Sequence, residues 1–426
     1  MEETERLSES IKELLGGRRD KRLANVLEEA HPADVSRVIR ELPVEDQVRV
    51  FRLMSPQHAG AVLSELDDPV LRELVGSLDE AEVSRALDRM PSDEVANVVE
   101  ELSKDQAEEI LDLMEEEKAE EVQGLLEYEE GTAGRLMSPD FVAVHEQATV
   151  ARALEHIRKA KTGDGAFYVY VVDDHDHLVG LVPLHRLLAA EPATPIQAIR
   201  TEDVESVTVN TDQEEVARLV QHYNLIQVPV VDASRRLLGT IGVDDVIDVI
   251  REEATEDIQR LGGAAGDETV LDPPRAVFLK RLTWRLINLG TAVLAASVIG
   301  LFESSIQALA TLAVFMPIVA SMGGIGTTQT ATLVVRGIAL GDMTGSVLQR
   351  VLWKEIWLGL TTGAANGLVI AAIAYIWKGQ VLLALVLGVA LVFNMLVAAV
   401  VGTLVPIALK TFRVDPAIAS SVIITT

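Results

Sequence analysis

The sequence predicts a multidomain protein with an all-α superhelical N-domain, an α/β tandem repeat and an α-helical transmembrane domain. Charge divides the chain, because the first 272 residues hold 61 acidic and 27 basic side chains and the remainder only four and ten. An internal repeat occupies residues 131–250, and four apolar stretches of membrane-spanning length follow it. We therefore divide the chain into domains at 1–130, 131–250, 251–275 and 276–426.

The acidic, cysteine-free composition excludes several classes of function. A formal net charge of −28 argues against nucleic acid as a partner, since both molecules would be negative. The absence of cysteine excludes disulfides, thiolate metal sites and cysteine catalysis. The N-terminus has neither the basic segment nor the apolar core of a signal peptide, so we expect the acidic half to stay in the cytoplasm.

Residues 1–130 are predicted to form a superhelix of short helices. Between His31 and Met114, amphipathic segments are broken every dozen residues or so. Each break carries serine, aspartate or proline with acids just downstream, which is typical of a helix N-terminus. The breaks lie at Pro43, Pro56, Asp68–Pro69, Asp79, Pro91 and Ser103. The same pattern also fits a generic helical-repeat interaction module.

The internal repeat pairs Val171–Gly180 with Val230–Gly239, at an offset of 59 residues. Each copy has an apolar strand, a polar turn, a second strand ending in glycine, and then a helix. This order resembles a tandem pair of CBS domains, which implies a module that senses adenine nucleotides or ions rather than an enzyme. Where such a nucleotide site would offer an aspartate to ribose, the first copy has His185–Arg186. The resemblance therefore implies that ATP binds weakly or not at all.

An acidic helix is predicted after the second copy, up to the break at Gly262–Gly263. Helical spacing places Asp245 and Asp248 on one face, and the acids at 253, 256 and 257 share another. Like charges crowded in this way repel unless a cation bridges them, and oxygen-only clusters suit Mg²⁺ or Ca²⁺ rather than Zn²⁺. The alternative is a solvated acidic helix that binds nothing.

The four apolar stretches are each long enough to cross a bilayer. They cover about 283–302, 306–338, 351–377 and 381–409. With the acidic half inside, nearly all basic residues of this region fall on the cytoplasmic side, as the positive-inside rule expects. Ionisable groups are almost absent from the spans, so neither a buried proton relay nor a fixed charge pair is expected there. Glycines at 359, 363 and 367 favour close helix packing.

The second span combines glycines with polar side chains. Gly323, Gly324 and Gly326 would loosen the helix and free backbone carbonyls, which a membrane tolerates only where they line a cavity or are buried in protein. Thr328 and Gln329 supply hydroxyl and amide oxygens suited to a hydrated ion. We interpret these five residues as pore-lining, and the alternative is that they pack helices together.

Taken together, the chain resembles the MgtE family of magnesium channels over almost its whole length. The most specific motifs are Ala254–Thr255–Glu256–Asp257–Ile258, Met322–Gly323–Gly324 followed by Thr328–Gln329–Thr330–Ala331–Thr332–Leu333, and Val414–Asp415–Pro416–Ala417. The resemblance implies a homodimer with a pore at the dimer axis, lined by the second and fifth spans. It also implies that cytoplasmic Mg²⁺ bridges the N-domain, the CBS pair and the connecting "plug" helix to close the gate. Four spans are expected before Thr426, and the fifth span of the family is not among them.

The resemblance also gives, by position, a set of candidate magnesium ligands. Asp93 of the N-domain would face Asp245 and Asp248 across bridging Mg²⁺, and the plug-helix carboxylates would lie near Asp415 at the cytoplasmic mouth of the pore. The complete set is Asp93, Asp245, Asp248, Glu253, Glu256, Asp257 and Asp415.

The sequence therefore predicts a Mg²⁺-selective channel or transporter of the inner membrane that cytoplasmic Mg²⁺ closes. Transport of other divalent cations is left open. Its expected partners are Mg²⁺, the lipid bilayer and a second copy of the chain. The alternative is a CBS-regulated membrane scaffold or receptor without transport. An enzyme is not expected, because no nucleophile–base pair, phosphate-binding loop or His/Asp metal triad stands out.

Overall fold

The computed structural model describes residues 2–17, 19–159, 167–264, 266, 268–308, 311–343, 345–412 and 414–417. The chain forms two compact units, residues 1–250 and residues 251–426. The first unit contains the N-domain and both copies of the repeat. The second contains most of the connecting helix and all the apolar helices.

Among the described residues the N-domain is a run of short helices, six of which begin at the breaks that the sequence predicts. Asp79 and Glu82 form a reciprocal capping box, and the Ser55 and Ser103 hydroxyls accept backbone N–H groups of the helices they precede. The helices are α1 (Glu2–Gly16), α2 (Asp20–Glu29), α3 (Pro32–Arg40), α4 (Val44–Leu53), α5 (Pro56–Leu63), α6 (Asp68–Val75), α7 (Glu80–Leu87), α8 (Ser92–Glu100), α9 (Lys104–Leu113) and α10 (Glu116–Leu126).

Alternate helices of the N-domain stack on one another, which confirms the predicted superhelix. The pairs α3 and α5, α5 and α7, α7 and α9, and α8 and α10 are in contact. Each helix is too short to be stable alone and depends on a buried apolar face. Leu23 and Leu27 of α2 and Val35 of α3 are examples of residues with no exposed surface.

The two copies of the repeat have the same topology, which confirms the prediction from the sequence. In each, the first strand is parallel to the second and the second antiparallel to the third, with a bulge at Val171 and again at Val230. The elements are α11 (Ala133–Leu136), β1 (Ala143–His145), α12 (Val150–Lys159), β2 (Tyr168–Val172), β3 (Leu178–Pro183), α13 (Leu184–Ala189), β4 (Val207–Thr208), α14 (Gln213–Tyr223), β5 (Gln227–Val231), β6 (Leu237–Gly242) and α15 (Val243–Leu261).

The hairpin turns of the two copies bond to each other. The backbone N–H of Leu178 donates to the Arg235 carbonyl at 2.9 Å, and that of Leu237 donates to the Asp176 carbonyl at 3.1 Å. Behind these bonds, Leu178 and Leu237 share a small apolar cluster with Tyr170.

The second copy is joined to the N-domain by one continuous hydrophobic core. Val246 and Val249 of α15 and Ile241 of β6 belong to the same cluster as the N-domain helices, whereas the first copy has a core of its own. This packing brings the start of α15 to the N-domain, and it places Asp245 near Asp93.

The second unit contains four helices long and apolar enough to span a membrane, in agreement with the predicted number. They are Val277–Gly300, Thr311–Ala339, Gly345–Lys378 and Val381–Thr411 among the described residues. The full helices are α16 (Pro274–Gly300), α17 (Glu303–Ala308), α18 (Thr311–Ala339), α19 (Gly345–Lys378) and α20 (Val381–Thr411).

Helices α18 and α19 both pack on α20, and glycines set how closely they approach. A Cβ atom at Gly367 would lie 2.6 Å from the Gly388 carbonyl, and one at Gly359 would lie 2.8 Å from the Met395 carbonyl. The predicted packing role of this glycine series is therefore confirmed. Helix α16 differs, because none of its described side chains is buried within the second unit.

Candidate cation sites

Asp93 is a buried carboxyl group at the start of α8, with 9% of its surface exposed. Pro91 caps the helix without a side-chain hydrogen bond. The Ser138 hydroxyl donates a hydrogen bond to Asp93 Oδ1 at 3.1 Å. Burial raises the pKa of Asp93, and the nearby charge of Asp140 raises it further. A buried carboxylate is costly unless a proton or a cation neutralises it.

Asp245 lies in the first turn of α15 and faces the same cluster. Its Oδ2 accepts the backbone N–H of Gly242 at 3.1 Å. Burial, followed by the charges of Asp93, Asp244 and Glu94, raises the pKa of Asp245 to about 7. The structure thus brings Asp93 and Asp245 together as expected, although they are far apart in the sequence.

Glu94 and Asp244 are members of this cluster that the sequence did not single out. Burial and the charge of Asp93 raise the pKa of Glu94, and Glu65 and Asp244 also raise it. The sequence could have pointed to them, because each lies directly beside a predicted site residue, in the acidic pairs Asp93–Glu94 and Asp244–Asp245. All the charged neighbours that shift these pKa values are acidic, and such an oxygen-only set suits a hard cation such as Mg²⁺. Asp248 lies one turn later on α15 and is exposed.

A second group of carboxylates lies within the second unit, around the end of α15. Burial raises the pKa of both Glu256 and Asp257, and the charges of Glu253 and Asp415 raise them further. These are the four residues that the sequence assigned to the plug helix and the pore mouth. The structure brings these four residues together, as the sequence analysis expects.

A basic side chain that the sequence did not single out also occupies this group. The Arg260 guanidinium forms ion pairs with both Glu256 and Asp415. The other oxygen of Asp415 accepts the backbone N–H of Ala417 at 2.8 Å. Arg336 also lowers the pKa of Asp257. A protein cation thus partly neutralises the second group, in contrast to the first.

The five predicted pore-lining residues divide between two faces of α18. Gly323 and Gly326 are buried, and a Cβ atom at Gly323 would meet the Asn394 side chain of α20. Gly324 is only partly buried, and a Cβ atom there would meet nothing within 4 Å. Thr328 and Gln329 are exposed within the unit. Gly323 and Gly326 therefore pack helices, and only the other three face away from the unit's interior.

Two polar groups in the membrane helices were missed by the sequence reasoning. Glu355 of α19 is 6% exposed, and its Oε2 accepts a hydrogen bond from the Thr330 hydroxyl at 3.0 Å. Its other oxygen lies 3.2 Å from Lys354 Nζ. The expectation of no fixed charge pair within the spans is therefore wrong, although only the Glu355 partner is buried. The Asn394 side chain donates to the Val319 carbonyl at 2.7 Å. A single amide in an apolar span predicts such a hydrogen bond between helices, so the sequence could have pointed to it.

A His/Asp cluster is also present in the first repeat copy. One potential ligand atom from each of Asp173, His175 and His177 lies within 4.8 Å of the other two. The expectation that no such triad exists is therefore wrong. The turn is distant in sequence from the acidic groups described above.

Family profiles match the chain in the order of its predicted domains. Residues 30–131 match the MgtE intracellular N domain, and residues 133–193 and 196–252 each match the CBS domain. Residues 316–426 match a divalent cation transporter domain.

Curated relatives extend these matches. The magnesium transporter MgtE of Thermus thermophilus is 38% identical over 301 residues, which are 70% of this chain and 67% of the relative. That of Enterococcus faecalis is 36% identical over 299 residues, 70% of this chain and 66% of the relative. The alignments thus span about two thirds of these relatives' length.

Solved structures resemble the first part of the chain. The soluble part of a magnesium transporter is 30% identical, with a TM-score of 0.55, and covers 59% of this chain and 99% of its own. The cytosolic domain of the Mg²⁺ channel MgtE in complex with ATP is 35% identical, with a TM-score of 0.55, and covers 57% of this chain and 99% of its own. From the identity to its relatives and the order of its domains, the chain belongs to the MgtE family of divalent cation transporters.

Proposed function

We propose that the protein conducts Mg²⁺ across the membrane and closes when cytoplasmic Mg²⁺ binds its two carboxylate groups. Members of this family are transporters rather than enzymes. A membrane potential of 100 mV contributes about 4.6 kcal/mol to the entry of a divalent ion, so inward flow needs a brake. Feedback by the transported ion supplies that brake without a separate regulator.

The observation that carries this proposal is the acidic cluster of the first unit. Asp93 and Glu94 of α8 meet Asp245 of α15, and each of the three has its pKa raised by burial and by nearby acids. In the absence of a cation these groups repel one another. A bound Mg²⁺ would hold the N-domain and α15 together, and its loss would let them separate.

The second carboxylate group extends the proposal to the membrane unit. Glu253, Glu256 and Asp257 lie on α15, whereas Asp415 follows the end of α20. An ion held by both segments would restrain the chain that leaves α20. Arg260 already pairs with Glu256 and Asp415, so Mg²⁺ would compete with this guanidinium or share the carboxylates with it.

The pore and the dimer are proposed from the exposed faces of the membrane helices. Gly324, Thr328 and Gln329 lie on a face of α18 that the second unit leaves uncovered. Hydroxyl and amide oxygens there would contact a Mg²⁺ ion that keeps most of its water, as this ion prefers. Helix α16 buries no described side chain within its own unit, which favours packing against a second copy.

The regulatory proposal is tested by removing charge from both groups. In the full-length protein, Asp245→Asn with Glu256→Gln should keep conducting at cytoplasmic Mg²⁺ concentrations that silence the parent. The reason is that both substitutions remove ligands that link separate segments, and a divalent ion bound by several carboxylates outweighs the repulsion that the same substitutions remove. Patch recordings at stepped cytoplasmic Mg²⁺ measure the effect.

A matched control carries the same change of charge elsewhere. Glu108→Gln with Asp112→Asn alters two exposed acids of α9 and should close at the same Mg²⁺ concentration as the parent. Unchanged inhibition in the Asp245→Asn, Glu256→Gln variant would instead assign these carboxylates to a solvated helix face. Absence of flux in the parent itself would favour the scaffold or receptor alternative.

We also propose that ATP binds the CBS pair weakly or not at all. A similar cytosolic domain was solved in complex with ATP, so the two proteins would differ in this respect. Here Arg186 donates to the Ile199 carbonyl and the Thr201 hydroxyl, each at 3.2 Å, and His185 is exposed. Neither side chain is an acceptor of the carboxylate kind. Titration calorimetry with ATP would measure it, and micromolar affinity would contradict the proposal.

A further inference from the structure

The turn between β2 and β3 carries a second kind of metal chemistry. Residues 173–177 read Asp-Asp-His-Asp-His, and three of them form the Asp173, His175 and His177 cluster. His175 is exposed, and His177 and Asp173 are partly exposed. Imidazole nitrogen is absent from both carboxylate groups, so this turn is chemically distinct from them.

Asp173 builds the turn from its own side chain. Its Oδ1 accepts the backbone N–H groups of His175 at 2.8 Å and His177 at 2.9 Å. Both bonds favour the ionised form of the carboxyl group, because they donate to its oxygen. Asp176 closes the turn with a φ of 61°, a left-handed conformation that aspartate tolerates better than most residues. The backbone that holds the two histidines is therefore fixed in advance.

The same carboxylate orients one of the imidazoles. His177 Nδ1 lies 3.0 Å from Asp173 Oδ2. An ionised carboxylate only accepts, so Nδ1 carries the proton of this contact. A dication that replaces this proton would be bound by Nδ1 and Oδ2 together, since metal binding to histidine releases protons. The His175 ring stacks against His177, with ring centroids 5.6 Å apart.

The second copy of the repeat is an internal control for this turn. Asp232 Oδ1 accepts the N–H groups of Ser234 at 2.7 Å and Arg236 at 2.8 Å, and Arg235 takes the left-handed position. The backbone of the turn is thus the same, with serine and arginine where the first copy has His175 and His177. The histidines are therefore not needed to form the turn.

We propose that Asp173, His175 and His177 form a binding site for a zinc-class divalent cation on the first CBS copy. Imidazole with one carboxylate favours Zn²⁺ over Mg²⁺, which prefers oxygen ligands. Ligand atoms around a tetrahedral Zn²⁺ lie roughly 3.4 Å apart, so these side chains need about 1 Å of movement, which exposed imidazoles can make. Water would complete the coordination.

The position of the site links it to the contact between the two copies. Asp176 lies between the two histidines, and its carbonyl accepts the N–H of Leu237 from the second copy. Its carboxylate lies 3.4 Å from Arg236. A dication bound at this turn would thus sit beside the joint of the CBS pair, and would give the cytoplasmic domain a response to a metal other than the proposed cargo.

Zinc binding is measured on the untagged full-length protein, in detergent and with saturating Mg²⁺ to occupy the oxygen sites. Zn²⁺ is titrated against a chromophoric chelator. The test variant, His175→Ser with His177→Arg, carries the residues of the second copy's turn and keeps Asp173. The control variant, His156→Ala with His185→Ala, removes two exposed histidines of the same copy.

The parent and the control should bind one Zn²⁺ per chain with equal affinity, and the test variant should bind it about tenfold more weakly or not at all. X-ray absorption of the zinc-loaded parent should show imidazole scattering that the test variant lacks. His175→Ser alone, at an exposed position, should also weaken binding. Zinc binding by the test variant that equals the parent's would overturn the proposal, as would absence of imidazole ligands in the parent.

Discussion

The carboxyl group of Asp245 titrates in a range where ordinary aspartates are fully ionised. Its pKa is raised to about 7 by burial and by the charges of Asp93, Asp244 and Glu94, against about 3.9 in an unfolded chain. Between these two values the folded protein holds a proton that the unfolded chain has released. The free energy of unfolding therefore falls as pH rises through this window.

Without divalent metal, residues 1–250 should lose stability as the pH rises from about 4 to about 7, by up to about 1 kcal/mol per pH unit. Denaturant unfolding in EDTA at a series of pH values measures this slope. In Asp245→Asn the slope should be shallower, because the amide does not titrate. Parallel slopes for parent and variant would show that Asp245 does not hold the proton.

At single residues the sequence was most informative where a local rule decides the outcome. The aspartate that caps α7 and the serine that caps α9 form hydrogen bonds within a few residues of themselves, and both helix starts were predicted correctly. The meeting of Asp93 with Asp245 depends on packing between distant segments, so only the family resemblance indicated it. Arg260 was overlooked because its partner Asp415 is equally remote in sequence.

Among the helices, α18 and α19 are joined by a buried hydrogen bond. Thr330 donates to Glu355 Oε2, and Glu355 is almost completely buried. Removing a donor from a buried charged acceptor costs more than removing an ordinary hydrogen bond, because the acceptor loses water as well. This hydrogen bond is thus a direct polar link between two helices that otherwise pack mainly on α20.

Thr330→Val should destabilise the membrane unit by about 1–3 kcal/mol, seen as a lower unfolding temperature in detergent. Thr361→Val is the matched control, because Thr361 is exposed and its hydroxyl donates only to carbonyls of its own helix. The control should change stability by less than about 0.5 kcal/mol. If Thr330→Val combined with Glu355→Leu were no more stable than Thr330→Val alone, the carboxylate oxygen left without its donor would not be the cause.

The membrane helices show what periodicity and length could predict. Their number and approximate bounds followed from apolar length, and the packing role of Gly359, Gly363 and Gly367 followed from spacing. Which face of α18 meets α20 did not follow, because that helix carries small residues all round. Gly323 and Gly326 were therefore assigned to the pore although they pack against Asn394 and Met395.

For the whole molecule, Mg²⁺ should change the exposure of the segment 244–262, which contains parts of both carboxylate groups. Millimolar Mg²⁺ should slow tryptic cleavage at Arg251 and Arg260, because an ion that bridges carboxylates from separate segments stabilises the bound state. Mass spectrometry of timed digests measures the rates. NaCl at matched ionic strength should not protect these sites, and equal protection by both salts would reduce the effect to charge screening.

The turn-to-turn contact within the CBS pair has a consequence for how two chains would associate. Equivalent residues of the two copies differ by 59 in number, so the bond from Leu178 to Arg235 and the bond from Leu237 to Asp176 are equivalent by the repeat. His177 forms a backbone bridge with Arg236, which is the equivalent residue of the second copy. This is an isologous interface closed inside a single chain, with a pseudo-twofold axis between the turns. The backbone groups of the two turns that bond to each other cannot also bond to a further copy. The proposed homodimer must therefore form through other faces, and a substitution at the pseudo-axis should alter the CBS pair without changing subunit number.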